Sequence, residues 1–118
     1  KGKGDDYDEK RLQILNYINN HYNSVTLEEV ADHFHYSIPY CSKLIQSEAG
    51  INFVSFVRQV RMNHATAMLR NTEMPISEIS YMIGYENTES FIRAFKKVFD
   101  QSPSAYRKEN RSADQNPS

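Results

Sequence analysis

The chain carries the same residue pattern twice, at a separation of 49 to 50 residues, and such a repeat constrains the fold more than any single motif does. The segments 27–31 (LEEVA) and 76–80 (ISEIS) align at a separation of 49, as do 34–36 (FHY) and 83–85 (IGY). With one residue added in the second turn, the separation of 50 pairs Cys41 with Phe91, Lys43 with Arg93, Ile45 with Phe95, Gly50 with Asp100 and Phe56 with Tyr106. The sequence therefore predicts two copies of one small unit.

The second copy has the pattern of two short helices joined by a tight turn. Apolar residues in 76–83 recur at the three-and-four spacing of an amphipathic helix, and Gly84 ends this helix because glycine turns left-handed without steric cost. Phe91 and Phe95 then fall four apart on one face of the next helix. This pattern is typical of a helix-turn-helix, although a plain helical hairpin with a solvated basic face shares it. The duplication favours the helix-turn-helix, because tandem cationic helices suit a periodic polyanion.

Local signals predict the helices of the first half of the chain. Thr26 and Glu29 have the spacing of a capping box. Ser37 is suited to cap a third helix, and Gly50 to end it. Asn52 begins a long fourth helix that reaches about Arg70. A first helix is predicted over 8–22, with a buried stripe of Leu12, Leu15, Ile18 and Tyr22.

Composition and charge limit the class of protein. Four glycines and four prolines among 118 residues, with few β-branched runs, favour an all-α chain. The single cysteine, Cys41, excludes an internal disulfide framework and indicates a reducing cytoplasm, and no apolar run is long enough to cross a membrane. The formal net charge is −1, yet residues 37–108 hold nine Lys or Arg against six Asp or Glu, a net charge of +3. We therefore expect a mildly basic body in a cytoplasmic protein.

The segments 76–85 and 91–97, together with Ser102-Pro103 and Tyr106-Arg107, resemble the C-terminal signature of the AraC/XylS family of bacterial transcription regulators. The resemblance extends from about residue 9 to residue 107. It implies an all-α body of about seven helices, in which a long linker helix joins two helix-turn-helix subdomains. Ser80 departs from the alanine frequent in the family, and Glu89 places an acid in the segment that would face the DNA groove.

The resemblance also implies partners and a division of the chain. The partners are double-stranded DNA, RNA polymerase and an N-terminal effector or dimerisation domain of a longer protein. The linker-like start of the chain, without an initiator methionine, is consistent with such a domain. The expected division is a disordered linker or arm over 1–7, a first subdomain over 8–51, a linker helix over 52–71, a second subdomain over 72–108 and a disordered tail over 109–118.

Two sets of residues are candidates for contacting DNA. In the first recognition helix, the second helix of its pair, the non-core positions are Pro39, Tyr40, Ser42, Lys43 and Gln46. In the second recognition helix, the family match indicates Thr88, Glu89, Ile92 and Arg93. Arg93 and Lys43 suit guanine, and contact with phosphate is the alternative. The predicted phosphate contacts are Lys96, Lys97, Arg107 and the helix N-termini at Thr26, Asn52 and Ile76. For Arg107, a role in the C-terminal turn is the alternative.

Other functions receive less support from the sequence. His33, His35 and Cys41 do not converge on one metal ion, and Cys41 aligns with the core residue Phe91, which predicts a small buried hydrophobe. We expect no metal, no cofactor and no enzymatic activity. The alternative function is a helical module that docks on RNA polymerase or a partner regulator. Salt dependence distinguishes the two functions, because only phosphate contacts release counterions.

Overall fold

Seven α-helices account for most of residues 2–115, the part of the chain whose backbone the computed structural model describes; side chains are described for residues 9–111. The helices are α1 (Gly2–Asn20), α2 (Leu27–Phe34), α3 (Ile38–Ala49), α4 (Phe53–Asn71), α5 (Ile76–Met82), α6 (Thr88–Phe99) and α7 (Pro103–Gln115). Residues 2–115 contain no strand. The predicted all-α fold with about seven helices is confirmed.

The helices belong to two units, Lys1–Val60 and Arg61–Ser118. The boundary falls inside α4, so the segment 52–71, predicted as a separate linker helix, contributes residues to both units. Each predicted helix-turn-helix lies within one unit, as α2 with α3 in the first and α5 with α6 in the second.

Each unit has its own apolar core. In the first unit α1, α2 and α3 pack on one another, and the core residues are Ile14, Ile18, Val25, Val30, Ala31, Cys41, Leu44, Ile45 and Val57. In the second unit α6 packs on α5 and α7, and the buried residues include Met62, Ala65, Leu69, Ile79, Ile83, Phe91 and Phe95. Burying one large apolar side chain contributes about 1.5–3 kcal/mol. These cores therefore fix the two helices of each pair against each other.

The backbone repeats the sequence duplication in both turns. His35 and Gly84, separated by 49 residues, have φ angles of 61° and 102°. The N–H of the residue that follows each of them donates to the carbonyl five residues earlier, from Tyr36 to Ala31 at 2.8 Å and from Tyr85 to Ser80 at 3.0 Å. Gly84 therefore ends α5 in the left-handed conformation that the sequence predicts.

The same correspondence holds at the ends of the recognition helices. Gly50 and Asp100, separated by 50 residues, have φ angles of 82° and 60°. Each donates its N–H to the carbonyl four residues earlier, at 2.9 Å to Gln46 and at 2.8 Å to Lys96. The predicted helix stop at Gly50 is confirmed, and α6 stops in the same way without a glycine.

The predicted N-caps are present. The Oγ1 atom of Thr26 accepts the Glu29 N–H at 3.1 Å, and the Thr26 N–H donates to Glu29 Oε1 at 3.0 Å, which completes a capping box. Ser37 and Asn52 each accept the N–H of the residue three positions later, at 3.3 Å and 2.9 Å. Such a cap contributes about 1 kcal/mol, and together they fix where α2, α3 and α4 begin.

α1 differs from the prediction in length and in buried face. It begins at Gly2, so residues 2–7, predicted as a disordered arm, are helical, and Lys1 lies outside the described residues. No proline interrupts this stretch. The predicted burial of Leu12 is wrong, because its side chain is 57% exposed while Ile14 and Ile18 are buried. Apolar residues lie on more than one face of α1, and packing against α2 and α3 selects one of them.

α7 extends into the predicted disordered tail. It continues to Gln115, while residues 116–118 lie outside the described residues. Its Arg111 donates from Nη1 to the carbonyl of Thr72 and pairs with the carboxylate of Glu73. These contacts join residues 38 and 39 positions apart in sequence. They stabilise the end of α7, which lacks an apolar stripe of its own.

Gly84→Val is expected to destabilise the second unit by about 1–3 kcal/mol, because a β-branched residue is strained at positive φ. Thermal unfolding measures this loss. Gly84→Asn is the matched control, since asparagine tolerates the left-handed region better, and it should lose less stability. If valine and asparagine left the melting temperature equally unchanged, the turn would not require a left-handed residue.

Candidate nucleic-acid interface

α3 is anchored by three buried side chains on one face. Cys41, Leu44 and Ile45 are buried in the first core, and their spacing of three and four turns the other positions of α3 towards solvent. Four of the five residues on α3 that are predicted to contact bases are exposed, namely Pro39, Tyr40, Lys43 and Gln46. The fifth, Ser42, is half-buried.

α6 is anchored in the same way by Phe91 and Phe95, which are fully buried. Its cap is Asn87, whose Oδ1 accepts the Ser90 N–H at 2.8 Å. Sequence reasoning did not use this cap, although an asparagine directly before a predicted helix is a start signal. On α6, the exposed candidate residues are Glu89, Arg93, Lys96 and Lys97, and the half-buried ones are Thr88 and Ile92.

The repeat allows the two recognition helices to be compared position by position. A separation of 50 pairs Ile38 with Thr88, Pro39 with Glu89, Tyr40 with Ser90, Ser42 with Ile92, Lys43 with Arg93, Gln46 with Lys96 and Ser47 with Lys97. Across these positions α3 carries one cation, whereas α6 carries three cations and one acid. The attraction for a polyanion is therefore concentrated on α6. The alignment also adds Ile38, which was not predicted from the sequence, to the candidate contact residues of α3.

Three predicted contact residues of the first unit line one groove. Thr26 at the start of α2, Asn52 at the start of α4 and Ser42 on α3 share it. The positive ends of two helix dipoles meet there, which favours an approaching anion. Glu28 lines the same groove and opposes an anion. In the second unit α5 begins at Ile76, and no side chain caps that end.

Arg107 differs from the other predicted phosphate contacts, because its side chain closes the end of α4. Its Nε donates to the Leu69 carbonyl at 3.0 Å and its Nη2 to the Thr72 carbonyl at 3.2 Å. Nearby, Arg70 Nη1 donates to the Tyr106 hydroxyl at 3.0 Å. Carbonyls at the C-terminal end of a helix lack intrahelical partners, so Arg107 has a structural task at the end of α4.

The described residues show no cluster of three or more His, Cys, Asp or Glu side chains that could hold a metal ion. Cys41 is fully buried, and burial raises the pKa of its thiol above the ordinary value, in keeping with the predicted small hydrophobe. None of the helices in the described part of the chain combines the length and the apolar character that crossing a bilayer requires.

Comparison with known proteins places these features in a family. Residues 30–109 match the model of a helix-turn-helix domain, so the match includes both helix pairs apart from the start of α2. The chain is 35% identical over 100 residues to an uncharacterized HTH-type transcriptional regulator, YtdP, of Bacillus subtilis; this aligns 84% of the chain with 13% of that protein. The chain spans 13% of the length of YtdP and 35% of the length of the Msm operon regulatory protein of Streptococcus mutans, to which it is 31% identical.

Solved structures show the same fold. The C-terminal domain of AraT, a response regulator from Geobacillus stearothermophilus, is 37% identical with a TM-score of 0.79, and the match covers 84% of each chain. The DNA-binding domain of AdpA, solved in complex with a target DNA, has a TM-score of 0.83 at 17% identity, covering 90% of this chain and 96% of that one. The likeness to AdpA shows a shared fold and nothing more.

Proposed function

Because this chain belongs to the AraC/XylS family of helix-turn-helix transcription regulators, we propose that it binds specific double-stranded DNA by inserting α3 and α6 into adjacent major grooves. The observation that carries the proposal is the structural repeat. Two helices begin at caps 50 residues apart, are anchored by equivalent buried residues and end in equivalent left-handed residues. Each thereby presents a solvated face at matching positions, as two major grooves require.

The side chains of these faces suggest distinct tasks. Arg93 is exposed, and its planar guanidinium suits guanine O6 and N7. Glu89 suits the amino group of cytosine, and the half-buried Ile92 suits a thymine methyl. Lys96 and Lys97 lie in the last turn of α6, where a long flexible cation suits phosphate. We propose that Lys43 takes the role of Arg93 on α3, with Gln46 and Ser42 beside it.

Since the chain spans only 13% and 35% of the length of YtdP and the Msm operon regulatory protein, we propose that an effector or dimerisation domain in the rest of the protein controls DNA binding. The setting proposed for the whole protein is the bacterial cytoplasm, with RNA polymerase as a further partner.

A second candidate function is docking on a protein partner such as RNA polymerase. The observation in its favour is on α5, where Tyr81 is 79% exposed and Met82 is 44% exposed. Large apolar side chains exposed side by side are typical of protein interfaces. The two functions differ in their response to salt, because each phosphate contact adds about −0.9 to the log–log slope of affinity against salt concentration.

Arg93→Ala is expected to lose about 1–3 kcal/mol of binding free energy on a preferred site and to relax preference at one base pair. The site is first obtained by selection from a randomised duplex pool, and affinity is then measured over a range of salt concentrations. Lys97→Ala is the matched control on the same helix, and it should weaken binding to all sequences alike with a shallower salt slope.

Two results would contradict this account. If Arg93→Ala weakened selected and random DNA equally, Arg93 would not contact a base. If the affinity of the wild-type protein for DNA changed neither with salt concentration nor with DNA sequence, specific DNA binding would be the wrong function and the docking module would be favoured.

A further inference from the structure

We propose that the DNA segment contacted by α3 is recognised mainly through thymine methyl groups, whereas the segment contacted by α6 is recognised mainly through polar and charged contacts. The inference rests on the proposed function and deepens it, because it assigns a different chemistry to each half of the binding site. It predicts an asymmetric site in which the α3 half depends on several thymine C5-methyl groups, whereas the α6 half has only the single methyl contact proposed for Ile92.

The first turn of α3 is apolar where a recognition helix meets base edges. Ile38 is 43% exposed and Tyr40 is 44% exposed, and the exposed Pro39 lies between them. The N-terminal residues of a recognition helix are those that contact bases in the major groove. Of these three side chains, only the Tyr40 hydroxyl is able to form a hydrogen bond.

The edges of the base pairs offer one apolar group in the major groove, the C5-methyl group of thymine. Isoleucine, proline and the ring of tyrosine gain by covering a methyl group, because contact removes apolar surface from water. The same three side chains leave the hydrogen-bonding atoms of guanine and cytosine almost without partners. An α3 segment rich in thymine therefore fits this surface best.

An aromatic row fixes the position of Tyr40. Its ring meets Tyr36 edge to face, with centroids 5.0 Å apart, and Tyr36 stacks on Phe34 at 6.2 Å. The Tyr40 N–H donates to the N-cap, Ser37. Backbone and ring are thus both held before DNA arrives, which reduces the entropy lost when Tyr40 packs against a base.

The equivalent positions on α6 have the opposite character. Ile38, Pro39 and Tyr40 correspond to Thr88, Glu89 and Ser90, which carry two hydroxyl groups and a carboxylate. These groups are able to form hydrogen bonds with base edges, and the methyl group of Thr88 is the largest apolar group that is not part of a flexible acidic side chain among them. Since the backbone and anchors of the two helices correspond, the difference concerns specificity and not the fold.

The test replaces thymine with deoxyuridine, which removes only the methyl group, in one half of the selected site at a time. Each substitution in the α3 segment is expected to weaken wild-type binding about fourfold, the value of one buried methyl group. The double variant Ile38→Thr/Tyr40→Ser carries the residues that α6 has at these positions. It should lose most of the difference between thymine and uracil duplexes in this segment, because only Pro39 of the three apolar side chains remains, with affinity for the α6 segment unchanged; circular dichroism checks that it remains folded.

Two outcomes would overturn the inference alone. The first is that the wild-type protein binds the uracil duplex with full affinity. The second is that removal of the methyl groups lowers the affinity of the double variant as much as it lowers that of the wild-type protein. If the wild-type protein showed no preference for any duplex, the proposed function would fail and this inference with it. The Lys43→Ala and Arg93→Ala variants assign the halves of the site to α3 and α6, because each relaxes preference in one half.

Discussion

Phe95→Ala is expected to lose about 3–5 kcal/mol of unfolding free energy in the second unit, the usual cost of deleting a fully buried phenyl ring. Phe95 is wholly buried and contacts the rings of Phe91, Phe99 and Tyr106, with centroid distances of 5.8, 4.5 and 5.5 Å. It therefore links α6 to α7, and alanine would leave a cavity between them. Small domains have about 5–15 kcal/mol of stability in total, so the variant should lose a large fraction of the stability of this unit.

Urea unfolding and hydrogen exchange of α5 to α7 measure this loss. Val98→Ala on the same helix is the matched control, because Val98 is exposed and its truncation should change stability by no more than about 0.5 kcal/mol. Phe95→Leu retains most of the volume and should lose less than the alanine variant. Equal stability of Phe95→Ala and Val98→Ala would contradict the anchoring role of Phe95 and, with it, the orientation of α6.

The sequence predicted those features of the fold that depend on neighbours three to five residues away. Thr26, Ser37 and Asn52 cap helices because each side chain bonds an N–H three positions later. Phe91 and Phe95 are buried because a spacing of four places them on one helical face. The repeat supported the burial prediction, since these two phenylalanines correspond to the buried Cys41 and Ile45, whereas the Thr26 cap has no counterpart at the start of α5.

Features that depend on distant contacts were not predictable in the same way. The buried face of α1 is chosen by packing on α2 and α3, so Leu12 and Ile14 were indistinguishable from local periodicity. Arg107 donates to carbonyls at the end of α4 that are 35 and 38 positions earlier in the sequence, whereas the sequence left open whether it serves the C-terminal turn or contacts the DNA backbone. The length of α7 depends on similar contacts of Arg111.

The candidate interface was predicted in part. Sequence and family resemblance predicted which helices carry it, and the exposed faces of α3 and α6 agree with that expectation. Ile38 was missed because it is apolar at the first position of a helix, where a hydrophobic residue is normally attributed to packing. The exposure of Ile38 indicates a contact surface only when the residue is compared with Thr88, its counterpart on α6.

Inserting half a helical turn of DNA between the two halves of the selected site is expected to reduce affinity at least about a hundredfold, since losing several base contacts costs about 1–3 kcal/mol each. α4 is one continuous helix of 19 residues, about 28 Å long at the rise of an α-helix. Major-groove segments on one face of B-DNA lie roughly 34 Å apart. We propose that α4 acts as a rigid spacer, so that α3 and α6 meet successive grooves on one face.

The measurement compares the affinity of the wild-type protein for three duplexes. These are the selected site, the same site with about five base pairs inserted between its halves, and a site with one half replaced by random sequence. If α3 and α6 occupy adjacent grooves as one unit, the insertion places the second half on the opposite face, and affinity falls to that of the single half. If the insertion leaves affinity unchanged while both halves are still required, α4 does not fix the spacing and the central claim is wrong.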